Sequence, residues 1–126
     1  MSKTVKLVEN VMKELSVLKI NCTAQQIQLI HIVSLDNIKV SERKAISNCL
    51  KNCLEAVKTI ELLEIFIANY SSSLKSCIIF SKKVFEKCKK SCEKCSTIKV
   101  CKPTSNECLK QIKVVNKLLD QFKKIF

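Results

Sequence analysis

The chain has 126 residues, nine cysteines, no glycine, one proline and a formal net charge of +12. This length predicts a single domain, residues 1–126, that buries a core without covalent crosslinks. The lack of glycine excludes the phosphate-binding loops of nucleotide-dependent enzymes, because glycine fills their backbone positions best. With Pro103 as the single proline, helices elsewhere can run uninterrupted, which favours an all-α fold.

The first helix is predicted over residues 3–20, where apolar residues recur at helical spacing, and it is expected to end at Asn21. Thr23 precedes Gln26 by three residues, as in a capping box, which predicts a short second helix that runs to about Leu35. The apolar face of this short helix is expected to hold Ile27, Ile30 and Val33, and the polar residues after it are Asp36 and Asn37.

Three longer helices follow, over residues 41–68, 74–95 and 103–126. The serine cluster at 71–73 predicts the turn between the first two of them, and Pro103 marks the start of the last one. Short connections favour antiparallel neighbours, so the sequence predicts an antiparallel four-helix bundle with an additional short N-terminal helix. The apolar seam of the last helix holds Cys108, Ile112, Val115, Leu119, Phe122 and Phe126.

Most cysteines fall on the apolar faces of these helices. Within the pairs Cys49/Cys53 and Cys88/Cys92, a spacing of four residues stacks one sulfur above the other. If two antiparallel helices fold back at about residue 70, their equal rise places Cys49 near Cys92 and Cys53 near Cys88. Seven cysteines are predicted to gather at one end of the bundle: Cys49, Cys53, Cys88, Cys92, Cys95, Cys101 and Cys108. The two expected bystanders are Cys22 and Cys77.

Metal binding explains this gathering better than packing, because ordinary core residues would spread along the whole bundle. Thiolates without carboxylate or imidazole partners select Cu(I), Zn(II) or iron–sulfur clusters, and the single histidine, His31, is expected to be structural or on the surface. Helical cysteine pairs suit Cu(I), which accepts two or three sulfurs. Zinc is the alternative metal, in a tetrahedral site that would take Cys88, Cys92, Cys95 and Cys101.

The pattern Cys49-Leu-Lys-Asn-Cys53 followed by Cys88-Lys-Lys-Ser-Cys92-Glu-Lys-Cys95 resembles the four-helix-bundle copper storage proteins over roughly residues 42–110. In that family, cysteines line the bundle and hold many Cu(I) ions, each bridged mainly by two thiolates. Because the family commonly has more cysteines, the resemblance implies a divergent, cysteine-reduced member with a small cluster. It implies copper-binding roles for Cys49, Cys53, Cys88, Cys92, Cys95 and Cys108, with Cys77 and Cys101 less securely matched.

The expected function is therefore Cu(I) storage or buffering in the cytoplasm. Lys3 and Lys6 precede an amphipathic segment rather than a secretory signal, and no apolar stretch is long enough to span a membrane. Reduced thiols are typical of that compartment. The expected partners are copper ions and a copper chaperone or thiol donor. No enzymatic site can be assembled around one histidine, so the chain is not expected to be an enzyme.

A second interpretation starts from the lysine run between Lys82 and Lys94, which is typical of nucleic-acid binding. Arg43 is the single arginine, and no aromatic residue is placed like a base-stacking platform, so a solvated lysine face is favoured. The alternative function is a basic helical interaction protein that binds a partner or nucleic acid. Its cysteines would form a structural zinc site or disulfides.

Overall fold

A computed structural model describes residues 2–35 and 37–125 of the chain. This part of the chain is helical and contains no β-strand. Its helices are α1 (Lys3–Val33), α2 (Val40–Ala68), α3 (Leu74–Cys95), a 3-10 turn (Lys99–Cys101) and α4 (Lys102–Lys123). Helices α1 and α3 each pack against α2 and α4, as in a helical bundle. Asp36 and Phe126, a predicted helix break and a predicted seam position, lie outside the described residues.

The predicted short N-terminal helix is wrong as a separate element, because α1 continues through Asn21 to Val33. Thr23 does not begin a new helix. Its hydroxyl donates to the carbonyl of Lys19, one turn earlier, at 2.8 Å. A single asparagine costs a helix only a few tenths of a kcal/mol, which apolar contacts on both sides outweigh when no glycine or proline interrupts the chain.

The buried core positions follow one spacing in all four helices, alternating three and four residues. In α1 they are Val11, Leu15, Leu18, Cys22, Gln25, Leu29 and Ile32. In α2 they are Ile46, Cys49, Cys53, Ala56, Ile60, Leu63 and Ile67. In α3 the buried residues on this spacing are Leu74, Ile78, Ser81, Phe85, Cys88, Cys92 and Cys95, and Cys77, Val84 and Ser91 are buried beside them. The last set is Cys101, Ser105, Cys108, Ile112, Val115, Leu119 and Phe122. This heptad spacing gives each helix a seam towards its neighbours, and α3 buries one further position in each heptad.

The same spacing corrects the predicted apolar face of residues 23–35. Ile27 and Ile30 are 66% and 56% exposed, whereas Leu29 and Ile32 are buried. The false break at Asn21 reset the helical phase, so the wrong side of the helix was assigned to the core. A continuous helix carries its seam from Leu18 through this region without a change of phase.

A short turn joins α2 to α3 at the predicted serine cluster. Tyr70, at its centre, has a φ of 46°, in the left-handed region. The N–H of Ser71 donates to the carbonyl of Phe66 at 3.1 Å, and the N–H of Tyr70 donates to that of Ile67 at 3.2 Å. Such helix ends usually place glycine at the left-handed position. The chain has none, so tyrosine takes the position at a cost of about 1 kcal/mol.

Candidate metal centre

All nine cysteines lie within the described residues, and all are buried with free thiols. Eight of them occupy seam positions, and these fall in one half of the bundle core. We call this region the thiol half, and its members are Cys22, Cys49, Cys53, Cys88, Cys92, Cys95, Cys101 and Cys108. The ninth, Cys77, lies near the start of α3, where its sulfur is 4.0 Å from the Ser81 hydroxyl.

The centre of the thiol half is a chain of close sulfurs from α2 and α3. The Cys49 sulfur lies 3.9 Å from that of Cys53 and 3.8 Å from that of Cys92. The Cys53 sulfur lies 3.8 Å from that of Cys88. The predicted neighbours Cys49/Cys92 and Cys53/Cys88 are therefore confirmed as contacts.

These sulfurs form two groups of three. Cys22, Cys53 and Cys88 make one group, and Cys49, Cys53 and Cys92 make the other. Within each group all three sulfurs lie within 4.8 Å of one another. An ion bound about 2.3 Å from each of three thiolates in a plane would place those sulfurs about 4.0 Å apart. Each group therefore has the dimensions of a three-sulfur metal site, and Cys53 belongs to both.

The structure places Cys22, an expected bystander, inside the cluster of sulfurs. Its sulfur is part of one three-sulfur group, and it also interacts with the sulfur of Cys108. Each of the four helices thus contributes one cysteine to the same region: Cys22, Cys53, Cys88 and Cys108. The signal that would have found Cys22 is the uninterrupted heptad spacing from Leu18 to Gln25.

The other predicted ligands lie at the edge of this arrangement. Cys108 interacts with Cys22, Cys53 and Cys92, so it adjoins both groups. The Cys95 thiol donates to the carbonyl of Ala45 at 3.5 Å. Cys95 and Cys101 belong to neither three-sulfur group. Of the seven cysteines predicted from sequence, the structure thus brings four into the two groups and places three around them.

Neighbouring thiols alter the ionisation of three sulfurs. Hydrogen bonds from Cys53 and Cys92 lower the pKa of Cys49, with a smaller contribution from the amide N–H of Gln25 at 3.6 Å. Hydrogen bonds led by the one from Cys22 lower the pKa of Cys88 and of Cys108. A buried thiolate is stabilised when several donors face it, so these hydrogen bonds favour the thiolate form of the three sulfurs.

The hydrogen bonds of this network raise the pKa of four other thiols. Hydrogen bonding with Cys108 is the largest cause that raises the pKa of Cys22, Cys53 and Cys92. Hydrogen bonding with Cys49 raises the pKa of Cys95. The raised pKa values favour the protonated form of these four sulfurs. A metal ion that enters displaces the protons of the remaining thiols, so binding releases protons.

Two polar side chains complete the level of Cys49 and Cys92. The Gln25 amide is fully buried and donates to the hydroxyl of Ser105 at 2.7 Å. Its carbonyl oxygen, Oε1, is buried without a hydrogen-bond partner in the described part of the chain. The sequence analysis missed both residues, because neither is a metal ligand of the thiolate type. They limit this level to two thiols.

The donor set is uniform. Both three-sulfur groups consist of cysteine alone. His31 lies on the exposed side of α1, in agreement with the expectation that it is a surface group. Sulfur ligands without imidazole or carboxylate favour soft and borderline metal ions over hard ones such as Mg²⁺ or Ca²⁺.

Comparisons with known proteins do not assign the chain to a family, since no family model, no curated protein and no solved structure matches it. Across residues 2–35 and 37–125, none of the helices combines the length and apolar character needed to cross a membrane. The arrangement of the cysteines is therefore the main basis for a functional interpretation.

Proposed function

We propose that the protein binds Cu(I) through its clustered thiolates and stores or buffers copper in the cytoplasm. The observation that supports this most directly is the pair of three-sulfur groups that share Cys53. Cu(I) is soft, accepts two or three thiolates and tolerates sulfurs that bridge two ions, whereas Zn(II) usually takes four ligands. Two Cu(I) ions bridged by the Cys53 thiolate make the smallest cluster that uses both groups.

The proposed architecture is an antiparallel four-helix bundle. Along the contact between α2 and α3, residue numbers increase on one helix while they decrease on the other, as in Cys49 with Cys92 and Cys53 with Cys88. Gln25 with Ser105 and Glu14 with Gln111 do the same between α1 and α4. In such a bundle one heptad level takes one residue from each helix, which explains how four cysteines distant in sequence meet.

The proposed role is binding rather than catalysis. The thiol half holds many equivalent soft ligands in a buried space, and the single histidine is exposed away from the core. We therefore propose a divergent, cysteine-reduced relative of the copper storage proteins that holds a small cluster. Its partners would be copper ions and a chaperone or thiol that exchanges them.

One observation favours a second candidate, a structural zinc site. Each helix contributes a cysteine to one region, namely Cys22, Cys53, Cys88 and Cys108, and four thiolates suit tetrahedral Zn(II). A single zinc ion would then fix the helices relative to one another. In this candidate function the chain is a basic interaction protein and the metal serves only its stability.

A competition titration separates the two proposals. The reduced, metal-free protein is titrated with Cu(I) in the presence of a Cu(I) chelator, and separately with Zn(II). We expect at least two tightly bound Cu(I) ions per chain. Fewer than two, together with one tightly bound Zn(II), would reject copper storage in favour of the structural site.

A further inference from the structure

Positive charge is distributed unevenly along the chain. Residues 74–126 contain fourteen lysines and four acidic residues, which gives a formal charge of +10. Residues 1–73 contain nine basic and seven acidic residues, which gives +2. Helices α3 and α4 therefore present a strongly basic surface, whereas α1 and α2 are close to neutral.

Part of this basic surface borders a groove between α2 and α3. We call it the α2–α3 groove. Its lining includes Asn48, Asn52, Lys87, Lys90, Ser91 and Lys94. The three lysines are exposed, while Ser91 is buried and accepts a hydrogen bond from the side-chain amide of Asn52. This hydrogen bond links the two helices across the groove.

The groove lies beside the sulfur cluster. Asn48 and Asn52 directly precede Cys49 and Cys53 on α2. On α3, the residues that precede Cys88, Cys92 and Cys95 also line the groove. Adjacent residues on a helix point in directions about 100° apart. Each of these cysteines therefore points into the core at the level where its preceding neighbour lines the groove.

On the basis of the proposed copper function, we propose that the α2–α3 groove is the docking site for a small anionic thiol that delivers Cu(I) as its thiolate complex. The lysines Lys87, Lys90 and Lys94 attract chiefly the carboxylates of the donor thiol. Exchange then takes place across the Asn52–Ser91 hydrogen bond, onto the sulfurs of Cys49 and Cys92.

The transfer conserves atoms and charge. For each ion, two Cu–S bonds to the donor thiolates break and two Cu–S bonds to protein cysteines form. Each protein sulfur that still holds a proton passes it to a departing donor thiolate, which leaves as a thiol, whereas a protein sulfur that is already a thiolate is exchanged for a free donor thiolate, so charge is conserved. Copper remains Cu(I), and no electron is transferred.

The character of the groove favours a small thiol over a nucleic acid. Its charges are lysine ammonium groups, which attract anions without the planar, bidentate geometry that arginine offers to phosphates and bases. The lining contains no aromatic residue on which a base could stack. Its short length, about two helical turns on each side, suits a peptide-sized ligand.

The test measures the rate of Cu(I) transfer from two donors by stopped flow. One donor is the Cu(I) complex of glutathione, which carries carboxylates, and the other is the complex of neutral mercaptoethanol. The variant Lys87→Gln/Lys90→Gln/Lys94→Gln removes the groove lysines. The control Lys75→Gln/Lys83→Gln/Lys117→Gln changes three exposed lysines outside the groove and lowers the net charge equally.

We expect the groove variant to accept Cu(I) from glutathione about tenfold more slowly than the unmodified protein, with a weaker dependence on salt. Its transfer from mercaptoethanol, whose complex carries only the charge of the Cu(I)–thiolate centre, should slow by much less, about twofold at most, and its copper capacity should be unchanged. Equal slowing by the two triple variants, or equal slowing with both donors, overturns the docking site. Tight binding of DNA or RNA that the groove variant loses also overturns it. If the unmodified protein binds no copper at equilibrium, the proposed function itself is rejected. If it binds copper but the groove variant transfers it normally, only the docking site is rejected.

Discussion

The two halves of the core share one heptad spacing but differ in side chains. In the thiol half, the seams carry eight cysteines with Gln25 and Ser105, and the aliphatic side chains are few, namely Leu29, Ile32 and Ile46. In the remaining part, which we call the apolar half, they carry large aliphatic and aromatic side chains such as Leu63, Ile78 and Phe122. The helical periodicity is the same, so the difference between the halves is one of chemistry rather than of fold.

The comparison shows how a bundle can combine a reactive core with stable packing. A cysteine side chain buries less apolar area than leucine or phenylalanine, and buried thiolates pay a desolvation cost. The thiol half therefore gains less from burial in the metal-free protein. The apolar half supplies the packing that keeps the sulfurs in place, and metal binding adds stability to the thiol half.

The largest expected effect comes from the sulfur that both groups share. Cys53→Ser removes a ligand from each three-sulfur group, so at least half of the Cu(I) capacity should be lost. Competition titration of the reduced protein measures this capacity. The matched control Cys77→Ser changes a buried thiol outside the groups and should retain full capacity. Equal losses in the two variants would contradict the assignment of the groups.

Truncation in the apolar half should separate stability from metal binding. Leu63 is fully buried, so Leu63→Ala should lower the free energy of unfolding by about 2–5 kcal/mol in urea denaturation. The control Leu54→Ala, at a half-exposed position on the same helix, should change it by less than about 0.5 kcal/mol. Copper capacity of the folded Leu63→Ala protein should be unchanged. A loss of capacity would mean that the halves are not independent.

The Gln25 amide should stabilise negative charge in the thiol half. Its N–H faces the Cys49 sulfur, whose pKa is lowered in the folded protein. Gln25→Leu should therefore shift the appearance of thiolate absorbance in the ultraviolet to higher pH in the metal-free protein. Gln111 is a matched control, because its amide is also largely buried but donates to Glu14. If Gln111→Leu produces the same shift, the effect is not specific to Cys49.

Cys77 gives a smaller effect that depends on pH. Burial raises the pKa of its thiol above the ordinary value of 9.0. Above pH 9 the unfolded chain releases this proton, whereas the folded protein still holds it. The contribution of Cys77 to the free energy of unfolding is therefore complete below pH 9 and declines as the pH rises further. One proton limits this slope to about 1.4 kcal/mol per pH unit. Cys77→Ser should flatten the fall in urea midpoint between pH 8 and 10, and an unchanged slope would contradict the assignment.

The smallest effect is expected from the surface of the apolar half. Lys82 pairs with Asp120 and lowers the pKa of that carboxyl group. The contribution of the ion pair to the free energy of unfolding is present above the ordinary pKa of aspartate, and it is lost as the pH falls through the lowered pKa of Asp120. Because the pair is solvent-exposed, Lys82→Gln should cost less than about 1 kcal/mol, and the difference should shrink in high salt. A larger cost would show that the pair acts as a buried contact.

The sequence was sufficient to predict α2, α3 and α4 and the two contacts between cysteines of α2 and α3. Pro103 correctly marked the first turn of α4, and equal helical rise correctly paired Cys49 with Cys92. The prediction failed at Asn21, because a local helix-ending signal was weighted above a seam that continues on both sides of it. Because of that single error, the exposed face of residues 23–35 was predicted to be buried. The same error left Cys22 out of the predicted cluster.

The grouping of sulfurs could not be obtained from spacing alone. Helical rise places residues at a level, but it does not determine which of several sulfurs at adjacent levels approach within 5 Å. That depends on side-chain packing, and here it makes Cys53 common to both groups while leaving Cys95 and Cys101 outside them. The polar pair Gln25 and Ser105 was missed for the same reason.

The turn at Tyr70 bears on whether the protein tolerates insertions and deletions between α2 and α3. Surface loops usually accept an inserted or deleted residue at little cost. Here one extra residue ahead of α3 would rotate its following residues by about 100° relative to α2 and shift them by about 1.5 Å, if the turn kept its geometry. The contacts of Cys49 with Cys92 and of Cys53 with Cys88 would be lost together. The five-residue connection between α2 and α3, although remote from the sulfurs, therefore sets the register of both cysteine pairs.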